Sequence, residues 1–153
     1  MKNLQPLMSL LSLAERERDE ALAHRQRMQE SLDAARAQSQ QLADYRREYE
    51  QRWAQRFAQP GQVDLLRCYH GFVTRLTLAI EHQARVATQA EGQLARAQDA
   101  LQQQELRVAS VQKLIERRVT EIQQKGARHE QSQLDEMASR AAWNRLAAAT
   151  TRY

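Results

Sequence analysis

Residues whose side chains can bind a metal ion or attack a substrate are few and widely separated. Cys68 is the single cysteine, and the histidines are His24, His70, His82 and His129. The spacing of Cys68, His70 and His82 matches no common metal site, and no carboxylate cluster accompanies them. No glycine-rich phosphate loop and no nucleophile elbow is present. The sequence therefore predicts no catalytic residue, no metal and no cofactor.

The aromatic side chains, by contrast, are concentrated in one part of the chain. They make up 5% of the sequence. Six of the eight lie close together, namely Tyr45, Tyr49, Trp53, Phe57, Tyr69 and Phe72. Tyr45, Tyr49 and Trp53 stand four residues apart, so they form one stripe if this segment is helical. Such rings are typical both of helix packing and of binding hot spots, and both interpretations stay open at this point.

The composition indicates long helices rather than a globular core. The 153 residues include only 4 Gly and 2 Pro, and the mean hydropathy is −0.79. Much of the apolar fraction is alanine. Such a chain can bury a narrow seam between helices but not a thick core.

The charges favour a solvated surface over a nucleic-acid site. The formal net charge is +4, but most arginines alternate with acids, as in the stretch LAERERDEALAHR. The most one-sided stretch, residues 107–128, has six bases against two acids, and no base-reading module accompanies it. We expect no nucleic-acid partner. A lone cysteine and the lack of a membrane-spanning apolar run predict a cytoplasmic protein with no direct membrane insertion.

One strong helix breaker, Pro60-Gly61, divides the chain, and the seam signal fades near Gly126. We predict a single coiled-coil domain, 1–153, composed of a helix 4–58, a turn 59–63, a helix 64–125 and a less ordered helical tail 126–153.

Heptad spacing predicts how the two helices pack. In the first helix, one column recurs every seven residues from Leu7 to Tyr49, and a companion column runs from Leu4 to Trp53. In the second helix, seventeen positions follow one another at alternating steps of three and four residues, and fourteen of them are apolar. The seventeen positions are Leu66, Tyr69, Val73, Leu76, Ile80, Gln83, Ala87, Ala90, Leu94, Ala97, Leu101, Gln104, Val108, Val111, Ile115, Arg118 and Ile122. This period predicts an all-α fold, a long two-helix antiparallel coiled-coil hairpin. A hairpin offers no concave pocket for a substrate, so we expect that the protein is not an enzyme.

The register of such a hairpin brings the aromatic groups together. Pairing about the turn places Tyr49 near Val73 and Tyr45 near Thr77. Tyr45 lies at the edge of the heptad seam and Phe72 just outside it. We therefore expect some of the rings to stay partly exposed.

Several segments together resemble a known family. The segment QSQQLADYRREYEQRW, residues 38–53, resembles the Leu-x-Asp-Tyr-x-x-Glu-Tyr segment of the bacterial flagellar export protein FliJ family. LLSLAERERDEAL resembles the opening helix of that family, CYHGFVTRLTLAIEHQ the start of its second helix, and LDEMASRAA its Asp-Glu-x-Ala-x-Arg tail. These segments follow the order and spacing of the family, so the resemblance covers nearly the whole chain.

The resemblance implies a non-enzymatic component of the flagellar type III protein export apparatus, and hence a role in flagellum biogenesis and chemotaxis. Members form a coiled coil similar to the stalk of rotary ATPases. The implied partners are the export ATPase (FliI-like), the cytoplasmic domain of the export gate (FlhA-like) and substrate-specific export chaperones. The implied location is the cytoplasm, with peripheral association at the inner membrane.

The resemblance also implies a surface that contacts the export gate. It consists of the positions Gln38, Leu42, Tyr45, Tyr49, Phe72, Leu76, Ala79 and Gln83. The last of these departs from the family pattern, which suggests histidine there, and His82 stands immediately before it.

With this resemblance, we interpret the aromatic residues chiefly as a docking surface. A thin coiled coil has little area, so its affinity must come from a few large side chains. Two alternatives are a YscO-like injectisome stalk protein and a plain structural coiled-coil spacer. The Tyr-x-x-x-Tyr segment and the Asp-Glu tail weigh against the first, and the second predicts no effect of changing surface aromatics.

Overall fold

Two long α-helices account for nearly all of the structure. The computed structural model describes residues 4–57 and 63–151. Helix α1 is Gln5–Phe57 and helix α2 is Val63–Thr150, and no strand occurs within these described ranges. The helices pack against each other, which confirms the all-α two-helix hairpin. The predicted turn lies outside the described residues, except that Val63 already belongs to α2.

Residues Glu15–Leu106 form one compact unit in which the helices run antiparallel. Arg36 of α1 pairs with Glu91 of α2 at 3.2 Å. The Tyr49 ring of α1 lies 4.2 Å from the Phe72 ring. Partners on α2 thus have lower numbers as the numbers on α1 rise, which is the register that pairing about the turn predicts.

The core of this unit is a narrow seam. Leu32, Ala90 and Leu94 form a buried cluster, and Met28 packs against it. Alanine at several seam positions lets the helix backbones approach closely, but it also limits the apolar area that can be buried. Every predicted seam position of α2 from Tyr69 to Gln104 is buried or half-buried. The predicted seam is therefore confirmed over this range.

The second compact unit consists of Met1–Ala14 and Arg107–Tyr153. Within its described part, Ala14, Val108 and Val111 are buried. The predicted seam is wrong at Arg118 and Ile122, which are exposed, and Val119 is half-buried instead. A straight α-helix drifts by about 20° per heptad from a 3.5-residue repeat, so a step of four residues after Ile115 keeps an apolar side chain inward. The predicted seam is also wrong at Leu66, near the start of α2, which is exposed.

The last part of α2 includes most of the segment that the sequence predicts to be a helical tail. The helix continues past 125 and through Gly126 to Thr150, although every residue from 120 to 151 is exposed. The segment is rich in good helix formers, and it carries supporting pairs one turn apart, such as Arg140 with Glu136 at 3.1 Å. A single glycine costs only about 1 kcal/mol in such a helix. The lower order of residues 126–153 and the single-domain organisation stay predictions.

In the described part of the chain, no helix is sufficiently long and apolar to cross a membrane.

Replacing Gly126 tests the continuity of α2. No atom lies within 4 Å of the position that a Cβ would take there, so Gly126→Ala should gain about 1 kcal/mol of local helix stability. Amide hydrogen exchange around this position should slow by about fivefold. Gly126→Pro is the opposing variant and should speed exchange and lower the helical circular-dichroism signal. Unchanged exchange in both variants would mean that the helix ends before this glycine.

Candidate protein-docking surface

Six aromatic rings form one connected cluster, the aromatic cluster. Its members are Tyr45, Tyr49, Trp53 and Phe57 of α1 and Tyr69 and Phe72 of α2. Along α1, neighbouring rings lie 6.3, 5.8 and 5.3 Å apart between centroids. Across the seam, Trp53 lies 5.6 Å from Tyr69, and Tyr45 meets Phe72 edge-on at 6.1 Å. These tilted and edge contacts are favourable aromatic geometries, so the cluster stabilises the hairpin.

The same rings are not fully buried. Trp53 is 9% exposed, whereas Tyr45 is 48% and Phe57 38% exposed. Tyr49, Tyr69 and Phe72 are half-buried. The expectation that some rings stay partly exposed is confirmed. The cluster therefore packs with its inner edge and offers its outer edge to solvent, because two helices cannot enclose six rings.

The eight positions predicted to contact a partner form two matching stripes, the predicted docking surface. Both stripes have the helical spacing i, i+4, i+7 and i+11. Tyr49 at the end of one stripe packs on Phe72 at the start of the other, and Gln83 reaches the backbone of Ala35 at the far end. The stripes thus run side by side and antiparallel. They comprise Gln38, Leu42, Tyr45 and Tyr49 on α1, and Phe72, Leu76, Ala79 and Gln83 on α2.

These eight residues differ in how much they offer to a partner. Gln38, Tyr45 and Ala79 are exposed, whereas Leu42, Tyr49 and Phe72 are half-buried. Leu76 and Gln83 are buried between the helices. The structure brings Tyr45, Tyr49 and Phe72 together into one ring contact, and this trio is the centre of the surface.

Gln83 has a packing role that the sequence did not reveal. Its side chain is 9% exposed, and its Nε2 donates a hydrogen bond to the Ala35 carbonyl oxygen at 3.2 Å. A buried amide is costly unless it is hydrogen-bonded, so this contact fixes the helices in register beside the docking surface.

Sequence reasoning missed a basic groove next to the aromatic cluster. Arg52, Gln55 and Arg56 line it together with Tyr45, Tyr49 and Trp53, around a volume of about 630 Å³. The Arg56 guanidinium carbon lies 5.6 Å from the centre of the Trp53 ring. We call this feature the arginine groove. One available signal was the stretch 51–63, which contains both arginines and no acidic residue.

The potential metal ligands do not assemble. Among residues 4–57 and 63–151, no three His, Cys, Asp or Glu side chains could hold a metal ion together. Cys68 is exposed, and His70 packs beside Tyr69 with ring centres 5.8 Å apart. The expectation of no metal, cofactor or catalytic residue stays a prediction.

Substitutions of Gln83 test its packing role. Gln83→Ala removes the buried hydrogen bond and leaves a gap, so the free energy of unfolding should fall by about 1–3 kcal/mol. Gln83→Leu has a similar volume and no unsatisfied donor, so it should stay near the wild type. Gln38→Ala, at the exposed end of the other stripe, is the control and should change stability little. Urea unfolding measures all three. Wild-type stability of Gln83→Ala would mean that the bond to Ala35 contributes nothing.

Comparison with known families shows to which family the chain belongs. The family model described as "Flagellar FliJ protein" matches residues 1–147. No curated protein and no solved structure matches the chain. Because the family match covers nearly all of the 153 residues, the protein belongs to the flagellar FliJ family, whose members are structural components of the flagellar export apparatus.

Proposed function

We propose that this protein is a non-enzymatic, stalk-like coiled coil that docks on the export gate, engages the export ATPase and escorts substrate chaperones. The observation that carries the proposal is the trio Tyr45, Tyr49 and Phe72, which is prepacked and partly exposed on a thin hairpin. The work takes place at the cytoplasmic face of the inner membrane, with which the protein associates peripherally. The chaperone role follows from the family resemblance, and we assign no residue to it.

The trio has the properties of a binding hot spot. The three rings contact one another, so their positions are fixed before a partner arrives and little conformational entropy is lost on binding. Their rings offer apolar area, and Leu42 and Ala79 belong to the same two stripes. Large, partly exposed rings in a rigid setting typically dominate interface affinity. We assign this surface to the cytoplasmic domain of the export gate, the FlhA-like partner.

The unpaired part of α2 supports a second partner. Residues 120–151 are exposed along their whole length. They carry large apolar side chains that nothing in the described chain covers, namely Leu134, Met137, Trp143 and Leu146. A helix of this kind gains most of its stability from packing on another surface. We assign it to the export ATPase, the FliI-like partner, whose acidic loops would also suit Lys113, Arg117 and Arg118.

Removing the two tyrosine rings tests the gate assignment. Tyr45→Ala with Tyr49→Ala should abolish most binding to the cytoplasmic domain of the gate, because each hot-spot ring typically contributes about 2 kcal/mol or more. This corresponds to about a thirtyfold loss of affinity per ring. Calorimetric titration measures the affinity. Leu78→Ala changes an exposed side chain outside both stripes and should bind normally.

Thermal melting must accompany this titration, because Tyr49 also packs on Trp53, Tyr69 and Phe72. Lost binding by a variant that remains folded supports the docking surface. If the double variant melts early yet binds normally when folded, the rings are packing residues and the gate assignment is wrong.

A purified export ATPase tests the second assignment. Adding the full-length chain should promote ring assembly, seen by size-exclusion chromatography, and raise turnover, seen by phosphate release. Deleting residues 127–153 should remove most of this stimulation, because the deletion takes away the uncovered apolar side chains. The Tyr45→Ala/Tyr49→Ala variant is the control and should stimulate normally. No response to the full-length chain would favour a plain coiled-coil spacer.

A further inference from the structure

The arginine groove contains two cations that no carboxylate of the described chain neutralises. Arg52 and Arg56 are exposed, and neither forms an ion pair within residues 4–57 and 63–151. The arginines one turn earlier are both paired. Arg46 pairs with Glu50 at 3.1 Å, and Arg47 lies 3.9 Å from Asp44. Both guanidinium groups can therefore bind an external carboxylate without breaking an ion pair of the described chain.

The groove also has the walls that an arginine–carboxylate contact requires. Trp53 lies beneath Arg56, and ring stacking limits the motion of a guanidinium while its N–H groups remain free to donate. Both arginines are exposed, so an ion pair formed there depends on charge-assisted hydrogen bonds and is sensitive to salt. A planar guanidinium matches a carboxylate with two parallel hydrogen bonds.

The groove is continuous with the predicted docking surface, because Tyr45 and Tyr49 belong to both. We propose that the arginine groove is the positively charged part of that surface and binds an acidic peptide segment of the docked protein. Arg52 and Arg56 pair with carboxylates of the peptide segment. Tyr45 and Tyr49 contact apolar side chains of the same segment next to those carboxylates. The identity of the docked protein rests on the proposed function, whereas the chemistry of the groove does not.

A peptide is favoured over nucleic acid by the size and surroundings of the charge. Affinity for a nucleic-acid backbone grows with the number of phosphates that are neutralised, and two cations give little. Glu48, one turn before Arg52, is exposed and would repel a continuous phosphate backbone. A short segment with isolated carboxylates avoids that repulsion.

A fluorescence titration with a defined peptide tests the groove directly. The chain has 2 Trp, so in a Trp143→Phe background the emission of Trp53 reports on the groove alone. The probe is a synthetic twelve-residue peptide of Leu and Ser with two Glu residues four positions apart, and its matched control has Gln for both Glu residues. We expect saturable binding of the Glu peptide and at least about tenfold weaker binding of the Gln peptide. Binding of the Glu peptide should also weaken between 50 and 300 mM NaCl, because salt screens exposed charges.

Charge reversal supplies the variants. Arg52→Glu with Arg56→Glu should weaken binding of the Glu peptide by at least about tenfold. Arg16→Glu with Arg27→Glu makes the same change of charge at exposed sites of α1 outside the groove, and it should stay within about twofold of the wild type. Equal binding of the Glu and Gln peptides, or equal loss in both double variants, overturns the proposal. Tighter binding of a single-stranded twelve-nucleotide DNA than of the Glu peptide also overturns it.

Binding measurements with the cytoplasmic domain of the export gate distinguish failure of this inference from failure of the proposed function. At 50 mM NaCl, Arg52→Glu with Arg56→Glu should lose about tenfold in affinity for that domain, and the loss should shrink at 500 mM NaCl because of screening. The Tyr45→Ala/Tyr49→Ala variant should lose binding at both salt concentrations. A tyrosine effect without an arginine effect overturns the groove alone. Peptide binding without any gate binding overturns the gate assignment alone.

Discussion

The packing of two helices through a narrow, alanine-rich seam is the constraint on which the other features depend. Alanine allows close approach of the backbones, but each alanine buries little apolar area, so the gain per turn is small. The larger buried side chains are therefore few, and two of them, Leu32 and Leu94, lie in the same cluster. Two seam positions of α1 even leave buried polar atoms without a hydrogen-bond partner among the described residues, at Arg25 Nε and Ser39 Oγ. The hairpin thus has little surplus stability to lose elsewhere.

This constraint gives the aromatic cluster two roles at once. Six rings supply much of the buried area near the end of α1, where Trp53 is the most enclosed of them. Two helices cannot surround so many rings, so the outer edges of Tyr45 and Phe57 remain exposed. The residues that hold this part of the hairpin together are therefore the residues that a partner can contact. The proposed function therefore couples stability to binding here, and a substitution has to be judged by both.

The ion pairs between charged side chains also contribute little to stability. Most ion pairs lie within one helix and one turn apart, as between Arg46 and Glu50, and exposed pairs of this kind stabilise a protein only slightly. Their main effect is to keep a long surface solvated and locally neutral. What distinguishes Arg52 and Arg56 is their position beside the aromatic rings, with the Arg56 guanidinium over Trp53. Membership of the flagellar FliJ family fits a molecule whose function depends on surfaces rather than on an enclosed site.

The sequence by itself determined the helices, their antiparallel pairing and the composition of the seam. The breaker at Pro60-Gly61 and a sustained 3.5-residue repeat are local signals, and they require no knowledge of the partner helix. They also placed Tyr49 near Val73, one residue from Phe72, which its ring contacts in the structure. The clustering of aromatic residues, and hence the candidate surface, was visible for the same reason.

Only the tertiary structure decided which side of each helix faces the seam at each position along the hairpin. A rotation of a few tens of degrees exchanges Val119 for Arg118, and no repeat counted in whole residues resolves that difference. The bond from Gln83 to the Ala35 carbonyl depends on the exact separation of the two backbones. The arginine groove depends on rotamers, because Arg56 reaches Trp53 only when its side chain folds back along α1. The sequence period predicts which residues of the two helices face each other. The exposure of each side chain depends on how much of it fits into the narrow seam between α1 and α2.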